Sequence, residues 1–314
     1  MPSDLGKGRK NGDKIMKVPV LVLAFNRAGH VSEAMKAIRK YQPERLYLAC
    51  DGPRPNKNGE KEAVDATRKV MLDAVDWTCE TKSLFRDENL GCANAVYEAI
   101  SWFFENEESG IICEDDIILS QDFFILCEDL LPRYKDEERV MEISARNESF
   151  RSDIENTYVY AQCYHCWGWA TWRRAWKKMD MEMSAAPMLS IPYLVKRLGL
   201  FRGVMMKRYF MSAYHSLPDF NSWATRWFLS ILSNDGLVIC PGVNLALNIG
   251  VDGGEHYEKG SPDPYAGLTI GKMKSPLMYN DSIKPERKQK ILDSRVFFRI
   301  RMIGLVKKFM SYGR

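Results

Sequence analysis

The sequence lacks several features that define whole classes of protein. No apolar run approaches the roughly 18 residues that a membrane-spanning helix needs. No N-terminal stretch joins a charged start to an apolar core, so we expect no secretory signal peptide. The eight cysteines are scattered, mostly inside apolar segments, which is typical of reduced, buried thiols rather than of a disulfide framework. We therefore expect a cytoplasmic protein.

The composition is that of a folded chain with an uneven charge. Hydrophobic residues make up 46% and aromatic residues 11% of the 314 residues, which is enough to bury a sizeable core. Residues 284–314 contain ten Lys or Arg and two acids, a local charge of +8, so the total of +4 leaves −4 on the rest. A basic tail on a mildly acidic body indicates targeting, and no nucleic-acid partner is expected.

Short apolar runs and helical patterns alternate over the first 120 residues. Residues 18–25, VPVLVLAF, are a continuous apolar run, typical of a strand buried on both faces. Further strands are predicted at 45–50, 81–85 and 110–113, with helices after the first strand and at 59–75 and 91–104. This βαβαβαβ order predicts a mainly parallel sheet with right-handed crossovers.

Beyond residue 120 the pattern changes to a mixed α+β character. Helices are predicted at 121–134, 191–214 and 223–232, and strands at 140–143, 158–162 and 237–240. Residues 1–17 are polar and without periodicity, and we interpret them as a disordered leader. The predicted organisation is a leader at 1–17, a catalytic domain at 18–283 and a basic helical tail at 284–314.

Three adjacent acids, Glu114, Asp115 and Asp116, follow the fourth predicted strand. Like-charge repulsion and desolvation make such a triplet unfavourable at the end of a buried strand. The usual compensation is a divalent cation, and Mg²⁺ or Mn²⁺ is commonly held by one or two carboxylates plus substrate phosphates. A solvated acidic turn is the alternative. The placement favours a ligand site, because α/β folds bind ligands outside the carboxyl ends of their strands.

Eight segments, including the one that holds this triplet, follow one another along the chain in a characteristic order. They span residues 18–258 and are VPVLVLAFNR, the Asp51-Gly52 strand end, RDENLG, CEDDIILSQDFF, EISARN, GWATWRRAW, NSWATRW and NIGVDGGEH. In this order the chain resembles the GT-A fold of nucleotide-sugar glycosyltransferases, and is similar to N-acetylglucosaminyltransferase I and its bacterial polysaccharide-synthesis relatives. The resemblance implies a Rossmann-like α/β fold, with a nucleotide-binding half at 18–120 and an acceptor half at 121–283.

The resemblance implies a site for a nucleotide-diphosphate donor, a UDP-sugar, with Mn²⁺ or Mg²⁺ as cofactor. Asp116 would bind the metal directly, and His256 would be a further metal ligand or a phosphate contact. Asp51 would accept a hydrogen bond from the uracil imide. The residues that would line the nucleotide, sugar and diphosphate are Phe25, Asn26, Arg27, Asp51, Arg86, Asn89, Gly91, Glu114, Asp115, Gly253 and His256.

On the acceptor side, the resemblance points to the tryptophan-rich segments. Trp167 and Trp169 flank Gly168, and we expect this trio to bind the acceptor sugar, whereas Trp172 is expected to pack in the core. Asn221 and Trp223 are further candidates for acceptor binding.

The general base is the point at which the chain departs from the family pattern. An inverting transferase needs a base to deprotonate the acceptor hydroxyl. The relative carries a carboxylate in the segment that matches 220–223, where this chain has Asn221 and Ser222. The nearest acid is Asp219, which we expect to be the base, with Asp252 and Glu255 as further candidates.

The tail bears on where the protein acts. Residues 295–314 interleave six basic residues with apolar ones and contain no acid. Such a segment can lie in the headgroup region of an anionic membrane surface, or it can dock on the catalytic domain with its charges solvated. The first interpretation predicts a peripheral protein on the inner face of the cell membrane.

The resemblance implies an inverting hexosyl- or N-acetylhexosaminyltransferase that acts on a glycan or lipid-linked glycan in surface polysaccharide synthesis. One alternative is a sugar-1-phosphate nucleotidyltransferase. That class carries a Gly-rich basic loop after its first strand, whereas this chain has AFNRAGH with a single glycine. The other alternative is a non-catalytic nucleotide- or glycan-binding protein on the same fold.

Overall fold

The computed structural model describes residues 17–148, 157–163, 165–250 and 267–311, with side chains described up to residue 300. An eight-stranded sheet runs through this part of the chain, in the order β3-β2-β1-β4-β8-β6-β9-β7. The strands of its first half are β1 (Val20–Ala24), β2 (Arg45–Cys50), β3 (Glu80–Phe85) and β4 (Ser109–Glu114), connected by helices α1 (Ala28–Tyr41), α2 (Glu60–Asp73) and α3 (Gly91–Asn106). These four strands pair in parallel, as predicted.

The second half of the chain extends the same sheet. Its elements are β5 (Ile117–Leu119), α4 (Gln121–Arg133), β6 (Val140–Ser144), β7 (Tyr158–Ala161), β8 (Trp169–Trp172), α5 (Arg173–Trp176), α6 (Ala185–Met188), α7 (Ile191–Leu198), α8 (Leu200–His215), α9 (Trp223–Ser233), β9 (Leu237–Pro241), β10 (Ala246–Asn248) and α10 (Arg287–Ser311). Only β8 and β7 run antiparallel to their neighbours in the sheet. The predicted α/β class with a mainly parallel sheet, a mixed second half and a C-terminal helix is confirmed.

Helices cover both faces of the sheet, because the strands are apolar on both sides. One buried cluster packs the sheet against α1, α2 and α4, for example through Val31, Met35 and Phe123. The other packs it against α3 and α9, through residues such as Phe103 and Trp227. A third cluster joins α6, α7, α8 and α9. The strands are thereby held in a three-layer arrangement.

The structure differs from the predicted elements in three places. Residues 191–214 were expected to be one helix, but Gly199, at φ +89°, separates α7 from α8. No strand was predicted at Trp169 and Trp172, but both lie in strand β8, with their indoles in the clusters on opposite faces of the sheet. The short antiparallel pair of β5 and β10 was not predicted. None of the helices in the described part of the chain is long and apolar enough to cross a membrane.

Candidate functional site

The carboxyl ends of β1 and β4 bring Arg27 against the acidic triplet. These strands are neighbours in parallel register, with Leu23 opposite Glu114. The Arg27 Nε atom donates to Asp115 Oδ2 at 3.2 Å, and its Nη2 atom bonds Asp115 Oδ1 and lies 3.0 Å from Asp116 Oδ2. One guanidinium therefore bridges two adjacent carboxylates at the end of the sheet.

Burial shapes the charge of this site. The side chains of Asp115 and Asp116 are 5% and 15% exposed. Burial raises the pKa of Glu114 above its ordinary value, and the charges of Asp116 and Asp115 raise it further. Burial also raises the pKa of Asp115, against the opposing effect of Arg27. Placing three adjacent carboxyl groups in this partly buried site is therefore unfavourable for their charged forms, and Arg27 only partly offsets that cost.

The end of β10 covers Asp116. The amide of Ile249 donates to the Asp116 carbonyl oxygen at 2.8 Å, and the amide of Gly250 donates to Asn248 Oδ1 at 2.7 Å. A Cβ atom on Gly250 would collide with the Asp116 carboxylate. The chain that follows holds the candidates Asp252, Gly253, Glu255 and His256, which lie outside the described residues. Their predicted roles stay predictions.

The loop after β2 is held together by Asp51. Its carboxylate oxygens accept hydrogen bonds from the amides of Gly52, at 2.9 Å, and Leu90, at 3.1 and 3.2 Å. Asn89 adds a bond from Nδ2 to the Gly52 carbonyl oxygen, and its Oδ1 accepts from the amide of Gly91. Asp51 and Asn89 therefore shape the turn into α3, at the same edge of the sheet as Asp116.

Charged side chains neighbour three of the predicted nucleotide-lining residues, Phe25, Asn26 and Arg86. Asn26 Nδ2 donates to Glu60 Oε1 at 3.2 Å, and the guanidinium of Arg54 lies 5.5 Å from the centre of the Phe25 ring. Arg86 pairs with Glu98 at 3.0 Å. Arg54, which also bonds Glu60 and thereby lowers the pKa of that carboxyl to about 2, was not singled out from the sequence.

The tryptophans predicted to bind the acceptor occupy different environments. Trp169 and Trp223 are only 1% and 3% exposed, and their rings stack with centres 5.6 Å apart. Their expected role in sugar stacking is therefore replaced by core packing. Trp172 is also buried, as expected, and its indole donates to the Leu131 carbonyl oxygen at 2.9 Å. Trp167 is half-buried, with the guanidinium of Arg146 3.7 Å from its ring centre. Among the three tryptophans predicted to bind the acceptor, Trp167 alone stays a candidate.

Gly168 has a structural role in the backbone and is not placed to bind an acceptor. It has φ +69°, its carbonyl accepts from the Ala145 amide at 2.9 Å, and a Cβ atom would meet the Leu119 side chain. This conformation favours glycine, so the binding role expected for Gly168 gives way to a structural one.

Replacing Gly168 by Ala is expected to destabilise the fold by about 1–3 kcal/mol, through the strained φ and the new contact. The matched variant Gly29→Ala lies in α1, and a Cβ there meets nothing within 4 Å. We expect Gly29→Ala to be neutral or to stabilise by about 0.5–1 kcal/mol. Urea unfolding of both variants tests this, and equal midpoints would contradict it.

Asn221 connects the two halves of the chain. Its Oδ1 atom accepts from the amide of Ala93 at 2.8 Å, in the first turn of α3. Ser222, next to it, caps α9 by accepting from the amide of Thr225 at 3.3 Å. Asp219 lies in the preceding loop and is exposed. Asn221 is thus bound to the first turn of α3, which directly follows the Leu90 amide held by Asp51. The assignment of Asp219 as base stays a prediction.

Sequence reasoning missed a set of buried charges at the carboxyl end of β6. Glu148 pairs with Arg146, and its Oε1 atom lies 3.8 Å from His165 Nδ1. Glu142, within β6, is fully buried, and its Oε2 accepts from the Trp227 indole at 2.8 Å. Burial raises the pKa of Glu142 to about 8. The segment EISARN was noted as a motif, but nothing local indicates that its strand is buried on both faces.

The carboxylates of Asp115 and Asp116 could supply only part of the ligands that a hard cation needs. Among residues 17–148, 157–163, 165–250 and 267–311, no group of three or more His, Cys, Asp or Glu side chains is arranged to hold a metal ion. Two carboxylates that share one guanidinium match the usual arrangement for Mg²⁺ or Mn²⁺, which takes its remaining ligands from water and phosphate.

Comparisons with known proteins return distant structural likenesses. No family model and no curated protein matches the chain. HddC from Yersinia pseudotuberculosis is similar over 50% of this chain and 77% of its own, at 10% identity and a TM-score of 0.31. The inositol-1-phosphate CTP transferase from T. maritima is similar over 52% and 74%, at 13% identity and 0.29. Mouse xyloside xylosyltransferase 1 is similar over 68% and 81%, at 8% identity and 0.34. These values do not assign the chain to a family.

Proposed function

We propose that the protein is a metal-dependent glycosyltransferase that transfers a hexosyl or N-acetylhexosaminyl group, with inversion, from a UDP-sugar to a glycan acceptor. The observation that carries the proposal is the Arg27–Asp115–Asp116 group at the carboxyl ends of two adjacent parallel strands. That edge of an α/β sheet is where nucleotide ligands bind. The motif order that resembles the GT-A transferases adds independent support.

In this proposal Asp116 holds Mn²⁺ or Mg²⁺, with His256 as a further ligand. The cation, when bound, stabilises charge on the leaving diphosphate. Arg27 orients both carboxylates by bridging them, and Asp115 supports Arg27 from its buried position. Asp51 and Asn89 keep the turn after β2 in the shape that borders the nucleotide. Asp219 is proposed as the base.

A sugar-1-phosphate nucleotidyltransferase is the second candidate, and local geometry argues against it. Only three residues, Phe25, Asn26 and Arg27, separate the end of β1 from the start of α1. A longer Gly-rich loop that could wrap a triphosphate has no counterpart at this position. A binding protein without catalysis would keep the same acidic group, so nucleotide binding by itself does not separate it from the transferase.

We further propose that the acceptor is a lipid-linked glycan of surface polysaccharide synthesis and that the protein works on the inner face of the cell membrane. The basic tail supports this location, since residues 295–314 contain six basic residues and no acid.

Calorimetric titration of the wild-type protein with UDP, with and without Mn²⁺, tests the proposal. We expect binding that is at least about tenfold tighter with the metal, because diphosphate oxygens complete the coordination that Asp116 begins. GDP is the matched comparison and is expected to bind more weakly. Absence of UDP binding in both conditions would contradict the uridine assignment. If UDP binds, hydrolysis or transfer assays with UDP-sugars separate an enzyme from a binding protein.

A further inference from the structure

We propose that the start of α8 and the outward face of α10 form one lipid-binding surface that docks on anionic headgroups. We call it the α8–α10 surface and define it by Leu200, Phe201, Lys288, Ile291, Arg295 and Phe298. This inference rests on the membrane location included in the proposed function, for which it names the surface. It adds residues of α8 that the tail sequence does not contain.

The apolar part of the α8–α10 surface consists of side chains that a water-facing surface would not normally expose together. Leu200 is 74% exposed, and Phe201 and Phe298 are 45% and 49% exposed. The rings of Phe201 and Phe298 touch edge to face, with centres 5.2 Å apart. Ile291, also exposed, lies two helical turns before Phe298. The exposed apolar residues of α8 and α10 are thus joined by direct contact.

The orientation of α10 is set by its inner face. Gln289 and Asp293 are buried and bonded to each other at 2.8 Å, and Ser294 Oγ donates to the Leu198 carbonyl oxygen at 2.7 Å. Phe297 packs on the cluster of α6 to α9. The exposed residues therefore recur at Lys288, Ile291, Arg295 and Phe298, on the opposite face.

Charge selects an anionic bilayer as the occupant. Residues 189–218, which include α7 and α8, contain five Lys or Arg and no Asp or Glu. Arg197 and Arg202 are buried among these five, whereas Lys196 and Arg208 are exposed. Residues 294–314 likewise contain no acid. Lys290 Nζ donates to the Lys196 carbonyl oxygen at 3.2 Å, which brings the basic end of α7 beside α10. Exposed aromatic and aliphatic side chains among basic ones match the headgroup region of an anionic leaflet.

Flotation of the full chain with vesicles tests this surface. We expect binding to vesicles of phosphatidylcholine with phosphatidylglycerol and little binding to phosphatidylcholine alone. The double variant Phe201→Glu/Phe298→Glu is expected to bind the anionic vesicles at least about tenfold more weakly than the wild type, because it places acids among the lipid-contacting residues. The matched control is Leu72→Glu/Ile125→Glu, because those residues are 48% and 50% exposed on α2 and α4. It is expected to bind like the wild type.

The salt dependence of wild-type binding keeps the test decisive if the variant folds poorly. Binding to anionic vesicles is expected to fall as ionic strength rises. Absence of wild-type binding, equal losses in both double variants, or salt-insensitive binding to neutral vesicles would each overturn the proposal. A dimer that the surface variant dissociates, without vesicle binding, would show that a second copy covers the surface. UDP titration of the surface variant is expected to match the wild type. If the wild type binds vesicles but not UDP, the proposed transferase function is overturned and the lipid-binding surface is not.

Discussion

Asp116→Asn is expected to abolish the metal dependence of UDP binding. Asp116 is the more exposed of the two bridged carboxylates, and its backbone is fixed between β4 and the end of β10 by the bond from Ile249. The amide keeps the size of the side chain and removes the charge that a cation needs. Changing residues that only support a metal ligand commonly costs about 10- to 100-fold in affinity, so loss of a direct ligand should reach about 100-fold or more.

Calorimetry with UDP and Mn²⁺ measures this effect, with Asp73→Asn as the control. Asp73 is an exposed acid on α2 whose carboxylate pairs with Lys69 at 2.6 Å. The control should bind like the wild type. The thermal midpoint of Asp116→Asn should stay close to wild type or rise, because the change removes repulsion between neighbouring carboxylates. Equal UDP binding by both variants, with or without metal, would mean that the acidic triplet is structural.

Trp169→Ala is expected to destabilise the protein by about 3–5 kcal/mol, as large-to-small changes of buried aromatic residues do. The Trp169 ring is 1% exposed and lies 5.6, 5.7 and 6.1 Å from the ring centres of Trp223, Trp227 and Trp176. Its removal would leave a cavity among three other indoles, two of them held by α9 and one by α5.

Urea unfolding measures the loss, and Trp167→Ala is the comparison. Trp167 is half-buried and packs under Arg146, so its removal should cost about 1 kcal/mol from the cation–π contact and some lost burial. Trp169→Phe should fall between the two. A Trp169→Ala protein as stable as wild type, with weakened glycan binding, would restore the acceptor role first expected for this residue.

Much of the fold could be predicted because the signals are local. The apolar run of β1 and the helical spacing of Val31, Ala34, Met35 and Ile38 both reflect burial, and those four side chains are buried in α1 as the spacing predicts. Strand β2 has the predicted bounds, residues 45–50. The separation of α7 from α8 at Gly199 also has a local signal, because a glycine inside a helical pattern weakens the helix there.

For the candidate site, some residues could be located from the sequence and others could not. Its acids could be located from the sequence, since three adjacent acids after an apolar strand stand out in any α/β pattern. The partner of those acids could not be located, because Arg27 and Asp115 are 88 residues apart and meet only when β1 and β4 pair. Asn221 and Ala93, 128 residues apart, are joined in the same way.

The sequence by itself determined the class of fold, the alternation of the first four strands with helices along the chain and the acidic end of β4, because short-range periodicity reports which side chains face the core. Only the tertiary structure decided which tryptophans are buried, how β10 covers Asp116, and that Phe201 and Phe298 share one exposed face. These outcomes depend on contacts between distant segments. A residue's type shows what it can bind, but packing decides what it can reach.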